Sequence, residues 1–271
     1  MTKASTRRFL TEGTVIVVSI LLAFGIDAGW ESYRADREEQ AVLRDLHRDF
    51  SQSLAALRDF NIPVIEAVLS ATAELAWHSA GLQGPFPNNA FRNEWEFRAN
   101  DYLLPVTESW VAEETRRAEV QDSLLGISIS GPIQFEPRFP TLDALLAGQG
   151  LTSLRSRELR AALAGFPARL ADLREMEAAM TRSLLDSYRP LVWRATNATL
   201  AEFTTLGWFI ADQTQRPQAL DVHTVEIEVS RELANVMAHR VGQAGGVRLV
   251  AEGLATEMDV ILRLIEEQLR E

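Results

Sequence analysis

The sequence of 271 residues contains no cysteine. This absence excludes disulfide bonds, thiolate nucleophiles, zinc–thiolate sites and iron–sulfur clusters. Histidine is scarce as well, since His47, His78, His223 and His239 are its four occurrences. Glu74 stands four residues before His78 and would share its helix face, but a metal site needs a further ligand and no second pair stands out. We therefore expect no metal ion.

Motifs for catalysis and nucleotide binding are also missing. No Gly-x-Ser-x-Gly elbow marks a serine nucleophile. Gly245-Gly246 lacks the preceding strand and the following Lys-Ser/Thr of a phosphate loop, so we expect close helix packing or a kink there. Carboxylates are plentiful, but in an acidic helical protein most of them lie on solvated faces. We expect neither enzymatic activity nor a bound cofactor.

Positive charge is in short supply. The net charge is −11 and the sequence pI is near 5.0, although the first residues are basic, with Lys3, Arg7 and Arg8. An acidic surface repels phosphate backbones and anionic lipid head groups. Nucleic acid is therefore not an expected partner, and attachment to a membrane would have to be hydrophobic.

One long apolar run lies near the start, between Phe9 and Trp30. Its nearly unbroken part, Val15–Ile26, is shorter than the roughly 20 residues that cross a bilayer. The whole run is long enough when Glu12 and Asp27 lie near the two interfaces. We predict a transmembrane helix over 9–30, and its proposed anchor residues are Val15, Ile20, Leu21, Leu22, Phe24 and Trp30.

Basic residues before the run, and Trp30 and Tyr33 after it, predict the orientation. Residues 1–8 would lie in the cytoplasm and 31–271 outside it. A cleaved signal peptide is the rival interpretation, because Ala23-Phe24-Gly25 fits a cleavage site. The apolar pattern continues without a break into Trp30 and a charged helix, which favours the anchor.

Three residues of the predicted membrane helix are candidate contacts with a membrane partner. Glu12 either lies at the cytoplasmic interface or pairs with a basic group of a neighbouring helix. Ser19 and Gly25 are small and would allow close approach of another helix, although their spacing is not a GxxxG motif.

The rest of the sequence predicts an all-α fold, in which the membrane helix continues into a long helix and then into a helical bundle. Apolar residues at three- and four-residue steps predict a helix over 31–80 that is kinked or divided at Pro63. Further helices are predicted over 108–124, from Thr141 to Gly148, from Ser156 to Pro190, over 191–211 and from Ser230 to the C-terminus. The last helix could pair with a second copy of the chain or fold back onto 156–188, and folding back is the default.

Residues 81–140 interrupt this pattern with six prolines and several aromatic residues. Residues 127–135 alternate in polarity and could form a short extended segment. Large apolar side chains next to Asn and Arg in an irregular backbone suit an interface loop. The candidate interface residues are Phe86, Phe91, Trp95 and Phe97.

Two predicted long helices open with the same tetrapeptide, Ser156–Leu159 and Ser230–Leu233. A serine cap followed by glutamate in the first turn is favourable helix-start chemistry. Capping explains the match better than a duplication, which is the alternative.

Parts of the sequence resemble a bacterial family that has no assigned activity. The first block reads Glu12, then Ser19-Ile-Leu-Leu-Ala-Phe-Gly-Ile-Asp-Ala-Gly-Trp-Glu31, then Glu38, Glu39, Leu43, Leu46 and Asp49. Thr141–Leu163 is similar to a second block, and Ser230–Asn235 with the C-terminal helix is similar to a third. The family often has glycine where this chain has Ser19.

The resemblance implies one N-terminal membrane helix, a helical periplasmic domain and a location in the bacterial cytoplasmic (inner) membrane. It carries no catalytic residues. We expect a non-catalytic accessory subunit that stabilises a larger membrane complex, for example an energy-transducing one, with an integral membrane protein and the lipid bilayer as partners. The alternative is a small-molecule-binding or sensor module that acts through a partner, because only about eight residues precede the membrane segment. A hydrolase with carboxylate catalysis ranks last.

Overall fold

The computed structural model describes residues 3–80, 115–129, 134–148, 150–196 and 224–270, with most side chains before Trp30 outside the description. This part of the chain is mostly helical, as predicted. The helices are α1 (Lys3–Ala56), α2 (Ile62–Ser79), α3 (Asp122–Ser128), α4 (Pro140–Ala147), α5 (Arg157–Ser183), α6 (Arg189–Ala195) and α7 (Arg231–Arg270). The strands are β1 (Thr115–Gln121) and β2 (Thr224–Ser230).

The chain forms two compact units. The first consists of Met1–Ser51, Phe139–Ala164 and Ile261–Glu271. The second consists of Gln52–Arg138 and Gly165–Val260. The long helices α1, α5 and α7 therefore each contribute residues to both units.

The core of the first unit is a stripe of α1 at heptad spacing. Its buried members include Leu43, Leu46 and Phe50, and the ring of Phe50 lies 4.7 Å from that of Phe139, centroid to centroid. Buried residues of the other elements complete this core: Leu142, Leu154, Leu159, Leu163, Ile261 and Ile265.

The core of the second unit combines α2, α5 and α7. Its fully buried residues include Leu57, Val64, Leu75, Phe166, Leu173, Met237 and Met258. Within α2, the hydroxyl of buried Thr72 donates to the carbonyl of Val68 at 2.7 Å, so this polar interruption of the stripe needs no outside partner. The apolar residues predicted for the last helix, Leu254 and Met258 among them, are buried within the chain.

The strands β1 and β2 form an antiparallel pair, with register from Thr115↔Ser230 to Gln121↔Thr224. Ile227 and Val229 are buried on one face. On the other, the guanidinium of Arg117 lies 3.6–3.8 Å from Glu226 and Glu228. The predicted helix over 108–124 is therefore wrong for Thr115–Gln121. The pairing partner lies about 100 residues away, and such non-local pairing leaves no local sequence signal.

The predicted extended segment over 127–135 is also wrong at its start. Ile127 and Ser128 end α3, and Ile129 forms the following turn. Phe135 does lie in irregular backbone before α4. Alternating polarity over a few residues did not distinguish a strand from the last turn of a helix.

Two prolines follow five-residue π-helical turns. Leu57–Asn61 separates α1 from α2, and Leu184–Tyr188 separates α5 from α6. In each turn the residue before the proline donates its N–H five residues back instead of four, which widens the helix where the proline has no N–H to donate. A kink or a division of the helix was predicted at Pro63, and a π-turn separates α1 from α2 just before this proline. The helix does not end at Pro190 as predicted, because α6 continues to Ala195.

One order of elements occurs twice in the described chain: a long helix, a π-turn, a helix with proline in its first turn, a strand and another helix. Each turn begins with leucine, with aspartate two residues later and proline six residues later: Leu57, Asp59 and Pro63, then Leu184, Asp186 and Pro190. The strands β1 and β2 hold the same place in the two halves and pair with each other. Their register is centred on Ala118↔Ile227.

Serine caps begin both longest helices of the second half. The Oγ of Ser156 accepts the N–H of Leu159, and the Oγ of Ser230 accepts the N–H of Leu233, each at 3.2 Å. These bonds bear out capping as the reason for the shared tetrapeptide. Those two serines are not at equivalent places in the repeated order of elements. The cap predicted at Thr141 is wrong, because α4 begins with Pro140 and has no side-chain cap.

Candidate functional site

Three exposed residues lie near the start of the part of α1 whose side chains are described. We call Trp30, Tyr33 and Arg37 the aromatic collar. Trp30 is 66% exposed and Tyr33 49% exposed, and their ring centroids lie 6.1 Å apart. The Cζ of Arg37 lies 5.0 Å from the centre of the Tyr33 ring. Three- and four-residue steps place all three side chains on one face of the helix. Such amphipathic rings with a cation above them suit the boundary between hydrocarbon and water.

The collar ends the segment predicted to cross the membrane. Of the predicted anchor residues, Leu22 and Trp30 are described and both are exposed. The remaining ones lie outside the described side chains: Val15, Ile20, Leu21 and Phe24, with the candidate partner contacts Glu12, Ser19 and Gly25. Among the described residues, no helix combines the length and the apolar character needed to cross a bilayer. The anchor stays a prediction.

The candidate interface loop also lies outside the described residues. This applies to Phe86, Phe91, Trp95 and Phe97 alike. Their proposed role stays a prediction.

Three buried carboxylates bind backbone N–H groups of the connection between α3 and α5. In the first unit, Glu39 accepts the N–H of Arg155 at 2.7 Å, and Asp49 accepts that of Thr141 at 3.1 Å. In the second unit, both oxygens of Glu177 lie 3.2 Å from the backbone nitrogen of Phe135. Irregular backbone next to a core needs acceptors for its N–H groups, and a charged acceptor makes the stronger bond.

Arg155 adds side-chain contacts to this arrangement. Its Nε lies 3.2 Å from Glu39, and its guanidinium pairs with Asp36. Glu39 is 9% exposed and contacts a backbone donor and the guanidinium of Arg155, whose side chain is 64% exposed. The paired oxygens and donors explain how α1 can bury a carboxylate in its apolar stripe.

The carboxyl group of Glu177 has a raised pKa. Burial raises its pKa from 4.5 to about 7, while the Phe135 N–H and the charge of Arg174 act in the opposite direction. A group with this pKa changes its protonation near neutral pH. Its contacts are with backbone and with Arg174, which indicates a role in fold stability.

We expect Glu177 to make the stability of the protein fall with rising pH. Because its pKa in the folded state exceeds 4.5, the stability from its protonated form is fully present below that pH and is lost as pH rises through about 7. Between about pH 5 and about pH 8 the free energy of unfolding should fall by about 2–3 kcal/mol. Glu177→Gln should remove this fall because an amide does not titrate in this range, and its amide oxygen can still accept the Phe135 N–H. Urea unfolding followed by circular dichroism at both pH values measures it.

Glu175→Gln is the matched control, because Glu175 is exposed on the same helix. This variant should keep the pH dependence of the natural protein. A natural protein and a Glu177→Gln variant with parallel pH profiles would show that Glu177 is ionised in the folded state across this range.

A second set of buried polar side chains lies at the C-terminal end of α3. Arg240 of α7 is 1% exposed, and its Nε donates to the carbonyl of Ser128 at 2.8 Å. The Tyr188 hydroxyl donates to Ser128 Oγ at 3.0 Å, and that Oγ donates to the carbonyl of Leu125 at 2.8 Å. Arg189 Nε donates to the carbonyl of Ile129 at 3.0 Å. Carbonyls at a helix C-terminus lack partners in their own helix and attract cations, so these side chains serve as a C-terminal cap inside the core.

The chemistry of this cap is fixed at neutral pH. Burial raises the pKa of Tyr188 to about 12 and lowers the pKa of Arg240 to about 10. The phenol therefore stays neutral and the guanidinium stays charged. The Cζ of Arg240 lies 5.2 Å from the Tyr188 ring centre, a cation–π distance.

Replacing Arg240 with methionine should destabilise the protein by about 2 kcal/mol, because the buried carbonyl of Ser128 loses its charged donor. Arg263→Met, an exposed arginine on the same helix, should change stability by less than about 0.5 kcal/mol. Urea unfolding of the full chain in mild detergent measures both. Equal costs for the two variants would contradict the capping role.

The described residues give little support for a metal site or a small-molecule site. His78 Nε2 lies 3.6 Å from Glu74, so the two share a helix face as expected. No group of three or more His, Asp or Glu side chains in the described ranges is placed to hold a metal ion. Two open grooves of about 380 and 400 Å³ lie in the second unit, one lined by Arg182, Asp186 and His239 among others, the other by Arg117, Arg194 and Glu226.

Sequence reasoning missed the buried charges, although the sequence contains a signal for them. Glu39, Glu177 and Arg240 each occupy a position in the heptad phase of a buried apolar stripe. In α5 the predicted stripe included Met176, but the buried residue is its neighbour Glu177. A charged residue in an apolar phase indicates a buried polar contact, and hydrophobicity alone selected the wrong neighbour.

Comparison with known proteins adds no relative, because no family model, curated protein or solved structure matches the chain.

Proposed function

We propose that this protein is a membrane-anchored, non-catalytic interaction protein. It serves as an accessory subunit whose helix α1 and extracytoplasmic domain dock onto a larger membrane complex, such as an energy-transducing one. The observation that carries the proposal is the aromatic collar of Trp30, Tyr33 and Arg37 on the exposed face of α1.

The collar supports membrane attachment through the chemistry of its position. Two large aromatic rings exposed side by side on a helix in water are costly, whereas at lipid head groups their apolar faces and polar edges both find partners. Arg37 reaches along the Tyr33 ring, as cationic side chains do when they extend toward head groups. The apolar run 9–30 directly precedes the collar and is continuous with it in α1.

The buried polar groups support a role without catalysis. Glu39, Asp49 and Glu177 accept backbone N–H groups, and Arg240 caps a helix. Perturbed groups of this kind often mark active sites, but here their partners belong to the fold itself. Because these buried charged groups stabilise the fold, they support a role in protein–protein interaction over a role in catalysis.

The proposed family relationship accounts for contacts in the first unit. Glu39 and Asp49 come from the first block of resemblance, and Thr141 and Arg155 lie in the second block. Their hydrogen bonds join the two blocks. A shared fold in that family would require carboxylates at positions 39 and 49, whereas any residue except proline could supply the backbone N–H groups at positions 141 and 155.

A ligand-binding or sensor module that acts through a partner is the second candidate. The two grooves of about 380 and 400 Å³ have the size of small-molecule sites. Their charged and open walls differ from the mostly apolar lining of such sites, so the interaction role ranks first.

Single-cysteine labelling tests the anchor, since the natural chain has no cysteine. Ala41→Cys, exposed beyond the collar, should react with a membrane-impermeant maleimide on intact spheroplasts. Ala4→Cys should react only after the membrane is permeabilised. Labelling of Ala4→Cys on intact spheroplasts, or release of the protein by carbonate wash, would contradict the proposed topology.

Isolation of the native complex tests the accessory role. Solubilised in mild detergent from native membranes, the protein should migrate with stoichiometric partners that mass spectrometry identifies. Deletion of 85–105 should weaken that association. A lone monomer or homo-oligomer would overturn the accessory role, and unchanged co-purification after the deletion would remove the loop from it.

A further inference from the structure

The connection from α4 to α5 exposes apolar side chains in the first unit. We call residues 144–154 the uncharged loop, because they contain no charged side chain. They comprise the end of α4, a short irregular stretch with two glycines, and a 3-10 turn at Leu151–Ser153. Leu146 is 43% exposed and Leu151 is half-buried.

Contacts with α1 show where the uncharged loop lies, since all of these residues belong to the first unit. At the start of α4, the N–H of Thr141 donates to Asp49. After the loop, the N–H of Arg155 donates to Glu39, and its guanidinium pairs with Asp36. Between these two points the chain has advanced along α1 toward the aromatic collar, and it then turns into α5.

The distance to the collar places the uncharged loop near the depth of lipid head groups. Asp36 lies three residues beyond Tyr33, which is about 5 Å along the axis of α1. The head-group layer on one side of a bilayer is about 5–8 Å thick. With the collar at the inner edge of that layer, Arg155 and the loop before it reach the outer part of the same layer.

The loop and the collar lie on different sides of α1. Nine residues separate Trp30 from Glu39, which corresponds to about two and a half turns of helix. Glu39 therefore projects from the side opposite to Trp30. A membrane contact at the loop would consequently be additional to the collar and displaced from it around the helix.

The charge of this region suits a bilayer surface. Residues 144–157 contain no acidic residue, although the net charge of the whole chain is −11. Arg157 follows the uncharged loop and is exposed. Leucines at the edge of the acyl chains with a cation beside lipid phosphates form the usual chemistry of an interfacial contact.

Gly150 fixes the shape of the loop. Its φ of 82° and ψ of −177° lie in a region that is open essentially only to glycine. The turn therefore has a defined path between Leu146 and Leu151, and contact with a surface needs little further ordering of the backbone.

We propose that the uncharged loop is a second membrane contact, in which Leu146 and Leu151 enter the boundary between head groups and acyl chains and Arg157 faces a lipid phosphate. This inference rests on the proposed membrane anchor and adds the bilayer surface as a partner of the first unit. Two contacts on different sides of α1 fix the rotation of this unit about the helix axis. A protein partner would then meet the unit in one orientation.

Fluorescence quenching tests the contact, because the natural chain has no cysteine. Ser153→Cys changes little volume at an exposed position and can carry a fluorophore in the full-length chain, reconstituted in vesicles of phosphatidylethanolamine and phosphatidylglycerol. A lipid that carries a spin label on its head group should quench this fluorophore. Arg48→Cys is the control, because this exposed position lies about 27 Å beyond Trp30 along α1, and its fluorophore should stay unquenched.

Tyr33→Cys, labelled in the same way, separates failure of the loop contact from failure of the anchor. Its fluorophore should be quenched because the collar lies at the head groups in the proposed function. Quenching at position 33 without quenching at position 153 would overturn the loop contact and leave the anchor standing. Absence of quenching at both positions would overturn both.

Removal of the charge of Arg157 provides an independent test. Arg157→Gln, made in the labelled Ser153→Cys chain, should lower the ratio of membrane-contacting to free loop about fivefold in these anionic vesicles. In vesicles of phosphatidylcholine alone, which have no net surface charge, the substitution should change the quenching little.

Arg263→Gln is the matched control for this substitution. Arg263 is an exposed arginine of the first unit, three residues before Glu266, which lies 3.4 Å from His47. That contact places it far along α1 from the collar, so Arg263→Gln should leave the quenching at position 153 unchanged. Equal quenching of the Arg157→Gln and Arg263→Gln chains in anionic vesicles would overturn the contact of Arg157 with lipid phosphate.

Discussion

The packing of one side of α7 is the constraint on which both compact units depend. Its buried stripe runs at heptad spacing from Leu233 to Ile265, and the helix supplies residues to each unit. Within the second unit its flanks are also held by charge, since Arg248 pairs with Glu66 at 2.8 Å and Asp259 pairs with Arg58. Apolar burial provides most of the stability of such a helix, while the ion pairs at its edges mainly specify register.

A second theme is how the fold satisfies backbone groups where regular structure ends. Glu39, Asp49 and Glu177 accept N–H groups of the connection between α3 and α5, and Arg240 supplies a donor to the buried carbonyl end of a short helix. A buried polar side chain is costly unless it is paired, and a buried backbone group carries the same cost. When a buried charged side chain pairs with a buried backbone group, neither group is left without a partner and neither carries this free-energy cost. These charged side chains are therefore part of the core.

Elements that depend on neighbouring residues could be predicted from the sequence, whereas an element that depends on residues far along the chain could not. Helices were predictable where their cause is local: the stripe at Leu43 and Leu46, the serine cap at Ser156 and the interruption at Pro63. The strand Thr115–Gln121 was not, because its hydrogen bonds go to residues about 100 positions away.

The positions of the buried charges could have been predicted, since the sequence shows that they share the heptad phase of the apolar stripes. Their partners are backbone groups, which carry no residue-specific signal. The role of Trp30 and Tyr33 at the end of a membrane segment stays a prediction, and three-dimensional geometry added the contact of Arg37 with the Tyr33 ring.

The division of α7 between the two units has a consequence for the order of folding. A chain is synthesised from its N-terminus, so α1 is present long before the last helix of the described chain. Neither unit can close its core until α7 has emerged, and β1 must wait for β2. The early part of the chain therefore stays open during synthesis. Until α7 is synthesised, the apolar stripes of the earlier helices stay exposed and prone to aggregation.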